Sequence, residues 1–131
     1  MLPLIVYRRP IQRRIRLARA EDKSIVTEIA NEAFAPKDRT NWIHGAFARS
    51  DRTIWVLEEY GKVEAFVITR AEGTDLRIDL IGTRKPRRGL CKALITYVEL
   101  TAAYDFHQVV AGTHSDNQHS HAFYRAGGFT C

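Results

Sequence analysis

Two cysteines, Cys91 and Cys131, are all that the 131 residues contain. So few exclude a disulfide framework, and a reduced, cytoplasmic setting is the expectation. No apolar run approaches the ~18 residues that a membrane-spanning helix needs. The stretch from Met1 to Tyr7 is far shorter. It also makes a poor secretory signal, because no basic region precedes it and Arg8 and Arg9 follow it instead. Internal repeats and low-complexity tracts are missing. So are the two common phosphate-binding patterns: there is no G-x-G-x-x-G, and Gly61-Lys62 is followed by Val63, which rules out a P-loop.

What is present suits one globular domain over residues 1–131. Apolar residues make up 45% and charged residues 27%. A chain of this length buries roughly two-thirds of its unfolded surface and needs no metal or disulfide to hold a core. Lys plus Arg number 20 and Asp plus Glu 15, giving a formal charge of +5. The excess favours anionic partners, whether nucleic acid, membrane or a phosphorylated small molecule. Arg8, Arg9, Arg13, Arg14, Arg16 and Arg19 crowd the N-terminal part. They could form a nucleic-acid arm, but no aromatic residue interleaves with them to stack on bases. A solvated tail leading into a strand whose arginines face water is the simpler reading.

Hydropathy patterning predicts the order β-α-α-β-β-β-α-β-α, an α/β arrangement with an antiparallel front half. Arg14 to Ala18 alternates as a strand. Glu21 to Phe34 reads as a helix, with Ile25, Ile29 and Ala33 at four-residue spacing and Pro36 beyond its end. Asn41 to Ala48 is a shorter helix. The period then drops to two. Thr53 to Glu58 and Lys62 to Arg70 form a hairpin about Tyr60-Gly61, and Leu76 to Thr83 follows a second turn at Glu72 to Asp75. Leu90 to Tyr104 is a helix and Phe106 to Gly112 a buried strand. That crossover should make the strands at Leu76 and Phe106 parallel neighbours. Asn117 to Ala126 is the last helix, ended by Gly127-Gly128.

The chemistry points to the stretch from Asp79 to Phe129. A basic loop, Arg84-Lys85-Pro86-Arg87-Arg88-Gly89, joins a strand to a helix. A helix N-terminus offers unpaired N–H groups and partial positive charge, a glycine at its mouth lets backbone approach closely, and four basic side chains raise the potential. The loop therefore reads as a pyrophosphate site or, failing that, as a solvated basic turn. On the last helix Asn117, His121 and Tyr124 share one face. That face presents an amide and a phenol, the latter a proton donor with a reference pKa near ~10. His114, His119 and His121 make a weak metal candidate, because His119 and His121 point to opposite sides of a helix and no cysteine pair accompanies them, so no metal is expected. Cys91, at a helix start among arginines, could be an activated thiol, but no histidine partner is identifiable by spacing.

The sequence resembles the GNAT superfamily of N-acetyltransferases in three places. Ile15 to Asp22 resembles its first strand and helix entry. Arg87-Arg88-Gly89-Leu90-Cys91-Lys92-Ala93-Leu94 resembles its pyrophosphate loop. Asn117 with Ala122-Phe123-Tyr124-Arg125-Ala126-Gly127-Gly128-Phe129 resembles its C-terminal signature. The resemblance implies a GNAT-like fold with acetyl-CoA as co-substrate between two splayed parallel strands, Leu76 to Thr83 and Phe106 to Gly112. It implies backbone contacts from Ile81 and Thr83 to the pantetheine arm, a pyrophosphate held by the amides of Arg87, Arg88, Gly89, Leu90, Cys91 and Lys92, and a cofactor contact from Asn117. Tyr124 would protonate the departing thiolate after direct attack by a primary amine. Asp79, with Glu64 in the neighbouring strand, is the candidate general base; the alternatives are an Asp79 paired with Arg77 or a lysine, and a water chain serving as base. The loop departs from the family pattern, with Pro86, Gly89 and Cys91 in its three defining slots. The usual C-terminal strands are shortened or absent, which implies a sheet edge covered by a partner copy in a homodimer or by the N-terminal arm. The acceptor pocket is expected near Phe34 and Trp42. The segment from Ala111 to Asn117 resembles members that acetylate amino sugars on nucleotide carriers. A non-catalytic CoA-binding or protein-interaction member is the alternative.

Overall fold

The computed structural model describes residues 12–111. Arg8 and Arg9, the expected last helix with Asn117, His121 and Tyr124, the other C-terminal histidines, Cys131 and the expected open edge lie outside that range.

Five strands, β1 (Arg13–Leu17), β2 (Arg52–Glu59), β3 (Lys62–Glu72), β4 (Asp75–Thr83) and β5 (Gln108–Ala111), form one sheet in chain order. The first four are antiparallel neighbours, and β5 runs parallel to β4, as the crossover through α3 (Leu90–Ala102) requires. Helices α1 (Lys23–Ala33) and α2 (Thr40–Ala48) cover one face and α3 the other. Among the described residues no helix is long and apolar enough to cross a membrane.

Alternation sorts the side chains between the faces. Ile54, Val56, Phe66, Ile68 and Leu80 pack with Val26, Ile29 and Ile43 beneath α1 and α2. Leu57, Ala65, Val67, Ile78 and Ile81 pack with Leu90, Leu94 and Val98 of α3. Tyr60 and Gly61, both at positive φ, make the tight turn between β2 and β3.

The alternation breaks twice, each time at an extra residue. Leu57 pairs with Ala65 but Glu58 pairs with Val63, so Glu64 is left without a partner on β2. Ile68 pairs with Leu80 but Thr69 pairs with Ile78, so Asp79 is left without a partner on β3. Such bulges put two successive side chains on the same side and bend the strand. In β4 the pattern shows directly: Ile78 and Ile81 belong to the α3 core, while Leu80 lies under α1 and α2.

The arginines of β1 do not simply face water, as their sequence suggested. Arg16 is 12% exposed and spans two carboxylates. Its Nη1 and Nη2 donate to Asp22 Oδ2 and Oδ1 at 2.7 and 3.1 Å, and its Nε donates to Glu58 Oε1 at 2.8 Å. Asp22 also accepts the Arg19 N–H at 2.7 Å and so fixes the single tight turn that leads into α1. Arg13 Nε donates to the buried Glu59 at 3.0 Å.

Removing Arg16 leaves two partly buried carboxylates without their cation. Arg16→Met should lower the unfolding free energy by about 3–5 kcal/mol in urea titrations. The hydrogen bonds from Arg16 hold the Asp22 carboxyl below the ordinary carboxylate range. A depressed carboxyl stabilises the fold above its unfolded pKa, near ~3.9. That contribution is lost as pH falls through the folded value. Wild-type stability should therefore decline below about pH 4, and the decline should be shallower in Arg16→Met.

Candidate active site

The end of β4, the loop 84–89 and the start of α3 converge at one end of the sheet. β5 pairs with β4 only from Asp75 to Ile78 among the described residues. The stretch from Asp79 to Thr83, which holds Ile81 and Thr83, therefore has β3 on one side and no described strand on the other. Gly89 begins α3 at φ +74, a left-handed conformation open to glycine, and a Cβ there would meet nothing within 4 Å. No side chain caps the helix, and the first described bond into its start runs from the Ala93 N–H to the Gly89 carbonyl at 3.0 Å. The amides of Leu90, Cys91 and Lys92 thus face outward without an intrahelical acceptor. An anion fits this geometry.

The basic side chains of the loop are less available than the sequence suggests. Arg84 reaches Glu28 and Glu32 of α1 at 3.2 and 3.6 Å. Lys85 lies 3.6 Å from Glu64, and Arg88 lies 3.6 Å from Glu59. Both glutamates are buried, at 5% and 3% exposed, and each keeps one oxygen without a hydrogen bond. Thr83 Oγ1 donates to the Glu64 carbonyl at 3.1 Å and accepts the Lys85 N–H at 3.0 Å. The Arg88 carbonyl accepts from Arg13 at 3.3 Å. Arg87 alone, exposed and at φ +66, has no ionic partner among the described residues. Much of the loop's charge therefore holds the loop itself, and Arg87 is the side chain left for an incoming phosphate.

Asp79 is the bulged residue of β4 and its side chain is only 9% exposed. Arg70 Nε donates to its Oδ1 at 3.1 Å, Arg77 Nε is 3.5 Å from the same oxygen, and Arg52 Nε is 3.3 Å from Oδ2. The pairing with Arg77 weighed from sequence is present, with two further arginines around it. Oδ2 has no hydrogen-bond partner among the described residues. Phe34 and Trp42 are half-buried on the same face. A Cβ on Gly82 would come within 3.0 Å of the Phe66 ring and 3.4 Å of Phe34, so this strand residue must be small. Trp42 lies over the Arg52 guanidinium at 4.9 Å. Arg52, Arg70 and Glu59 were not singled out from sequence, and the signal that finds them is cross-strand register, not any local motif.

The sequence model described as Acetyltransferase (GNAT) family matches residues 21–129. The chain belongs to this family. Solved GNAT-type structures share its fold. A possible acetyltransferase from Clostridium difficile 630 is 17% identical, with 91% of each chain covered and a TM-score of 0.78. The ribosomal-protein-S18-alanine N-acetyltransferase from Escherichia coli is 18% identical, covering 89% of this chain and 77% of that one, with a TM-score of 0.79. An aminoglycoside N-acetyltransferase in complex with CoA is 13% identical, covering 96% and 93%, with a TM-score of 0.77. No curated protein matches this GNAT chain in sequence. Among its described residues no three His, Cys, Asp or Glu side chains gather as a metal site.

The thiol reading of Cys91 fails on burial. Packed against the α3 core, its thiol is pushed up to about 11, the opposite of activation. In a Cys131→Ser background, alkylation of Cys91 at pH 8 should be roughly 10²-fold slower in the folded than in the unfolded protein. The folded rate should still be climbing above pH 9.

Proposed function

We propose that this GNAT chain is an acetyl-CoA-dependent N-acetyltransferase acting on a primary amine. The observation that carries the reading is the strand–loop–helix junction. There β4 leads through a glycine mouth into an uncapped helix N-terminus whose first amides have no intrahelical acceptor.

Bound acetyl-CoA supplies an acetyl group already activated as a thioester. The chain's own residues do the rest. The amides from Arg87 to Lys92, with the Arg87 guanidinium, hold the pyrophosphate. Backbone groups of Ile81 and Thr83 align the pantetheine arm along β4. Asp79 lies four extended residues, ~13 Å, back along β4 from Thr83, so a pantetheine arm laid along this stretch would run toward the bulge. Asp79, whose Oδ2 lies 3.3 Å from Arg52 Nε, receives the proton of the attacking amine through water, the alternative being a water chain to solvent that bypasses it. Asn117 contacts the cofactor and Tyr124 donates a proton to the departing thiolate. A homodimer and an amino-sugar acceptor, free or nucleotide-linked, are the finer parts of this proposal.

Calorimetric titration with acetyl-CoA, followed by turnover on a panel of amines, tests the reading. Cofactor binding without turnover on any amine would replace it with the non-catalytic, CoA-binding alternative. Arg87→Ala should weaken acetyl-CoA about tenfold, the worth of one charge-assisted contact, and leave the melting temperature unchanged. Arg88→Ala should also lower the melting temperature, because the buried Glu59 loses one of its two cations.

Tyr124→Phe keeps the ring and loses the proton. Acetyl-CoA affinity and melting temperature should survive while turnover falls by roughly 10²–10⁴. A loss below tenfold at normal stability would remove Tyr124 from the acid role.

A further inference from the structure

Arg52, Arg70 and Arg77 stand directly opposite one another on β2, β3 and β4. Directly opposed residues of antiparallel strands share a face, with Cβ atoms ~5 Å apart, and like charges so placed destabilise the sheet. Three guanidiniums in one row are more than a counter-ion for Asp79 requires. Among the described residues, the carboxylate in ion-pair contact with the row besides Asp79 is Glu72, 55% exposed, at 3.7 Å from Arg70 and 3.6 Å from Arg77, while nearby Asp51 is paired with Arg49. Among those residues the row keeps a positive excess. Its members differ in access. Arg52 is 12% exposed and fixed beneath Trp42, whereas Arg70 and Arg77 are 35% and 40% exposed. Asp79 gathers the three Nε atoms within 3.1–3.5 Å, so the guanidiniums are pre-positioned and not swinging free. The row lies on the α1 and α2 face, beside the β4 bulge where the proposed reaction takes place.

We propose that the acceptor amine carries an anionic oxyacid group, a carboxylate or a phosphate, and that Arg70 and Arg77 bind it. This rests on the acetyltransferase reading and narrows its substrate. Guanidinium forks match either oxyanion with paired hydrogen bonds. The row equally disfavours a polycationic acceptor, since like charges are brought together as it approaches.

The test uses matched amines on the full chain: β-alanine against β-alaninamide, and O-phosphoethanolamine against ethanolamine. The first pair reads a carboxylate and the second a phosphate. We expect at least one anionic member to have a kcat/KM tenfold or more above its neutral partner, with the advantage shrinking as salt is raised. Calorimetry should detect that member binding to the protein without acetyl-CoA. Arg77→Gln should erase the preference through KM, and Arg77→Lys should restore part of it. If Arg77→Gln does not fold, Arg70→Gln serves the same purpose. Neutral members used as well as anionic ones in both pairs would overturn the inference and leave the acetyltransferase reading standing. A preference that survives Arg77→Gln would do the same. Failure to bind acetyl-CoA would be a distinct result and would overturn both.

Discussion

In a β-strand successive side chains leave opposite faces, and both faces of this sheet are covered by helices. A regular strand in such a sheet has little room for charge. The two bulges resolve this constraint. Glu64 is inserted where β3 meets the loop, and its carboxylate comes within reach of Lys85 while its carbonyl accepts from Arg84 and Thr83. Asp79 is inserted where β4 passes under the arginine row. Each extra residue gives a buried carboxylate a place without displacing an apolar neighbour, and each carboxylate then fixes basic groups that would otherwise repel. The loop and the arginine row both depend on these two irregularities.

The register shows how closely the parts are tied. The Tyr60-Gly61 turn sets Glu59 opposite Lys62. If Glu64 took a paired place in the ladder instead of bulging out of it, Arg52 would lie opposite Thr69 and the arginine row would lose it. With the bulge, Arg52 faces Arg70, which faces Arg77. An insertion near the phosphate end of the sheet therefore sets the chemistry at the other end of the same strands.

Much of this fold can be read from the sequence because its signals are local. The change of period from helix to strand, the turn residues at Tyr60-Gly61 and at Gly73, and the glycine before Leu90 place most elements within two residues of where they lie. The helix at Lys23 starts late because one tight turn, Ala20–Asp22, precedes it. Strand β5 starts later than its apolar run, at Gln108, after Phe106 and His107 bond back to Ala102 and Thr74. The bulges leave no mark in composition, since a single added residue changes neither hydropathy nor turn chemistry. The partners of Arg84, Lys85 and Arg88 are 21 to 56 residues away in sequence and meet only once the sheet closes, so in the sequence a basic loop looks freer than it is. The assignments of Asn117 and Tyr124 rest on the family signature and lie outside the described residues.

Strand order follows chain order, so every strand of the sheet is bonded to its neighbours in sequence. The joints from β2 to β4 close across short turns, whereas β5 reaches β4 only after the chain has built α3 and crossed the sheet. Closing that longer span costs more entropy, so the antiparallel meander should form before the parallel seam, and the glycine junction at the head of α3 is set by a late step of folding.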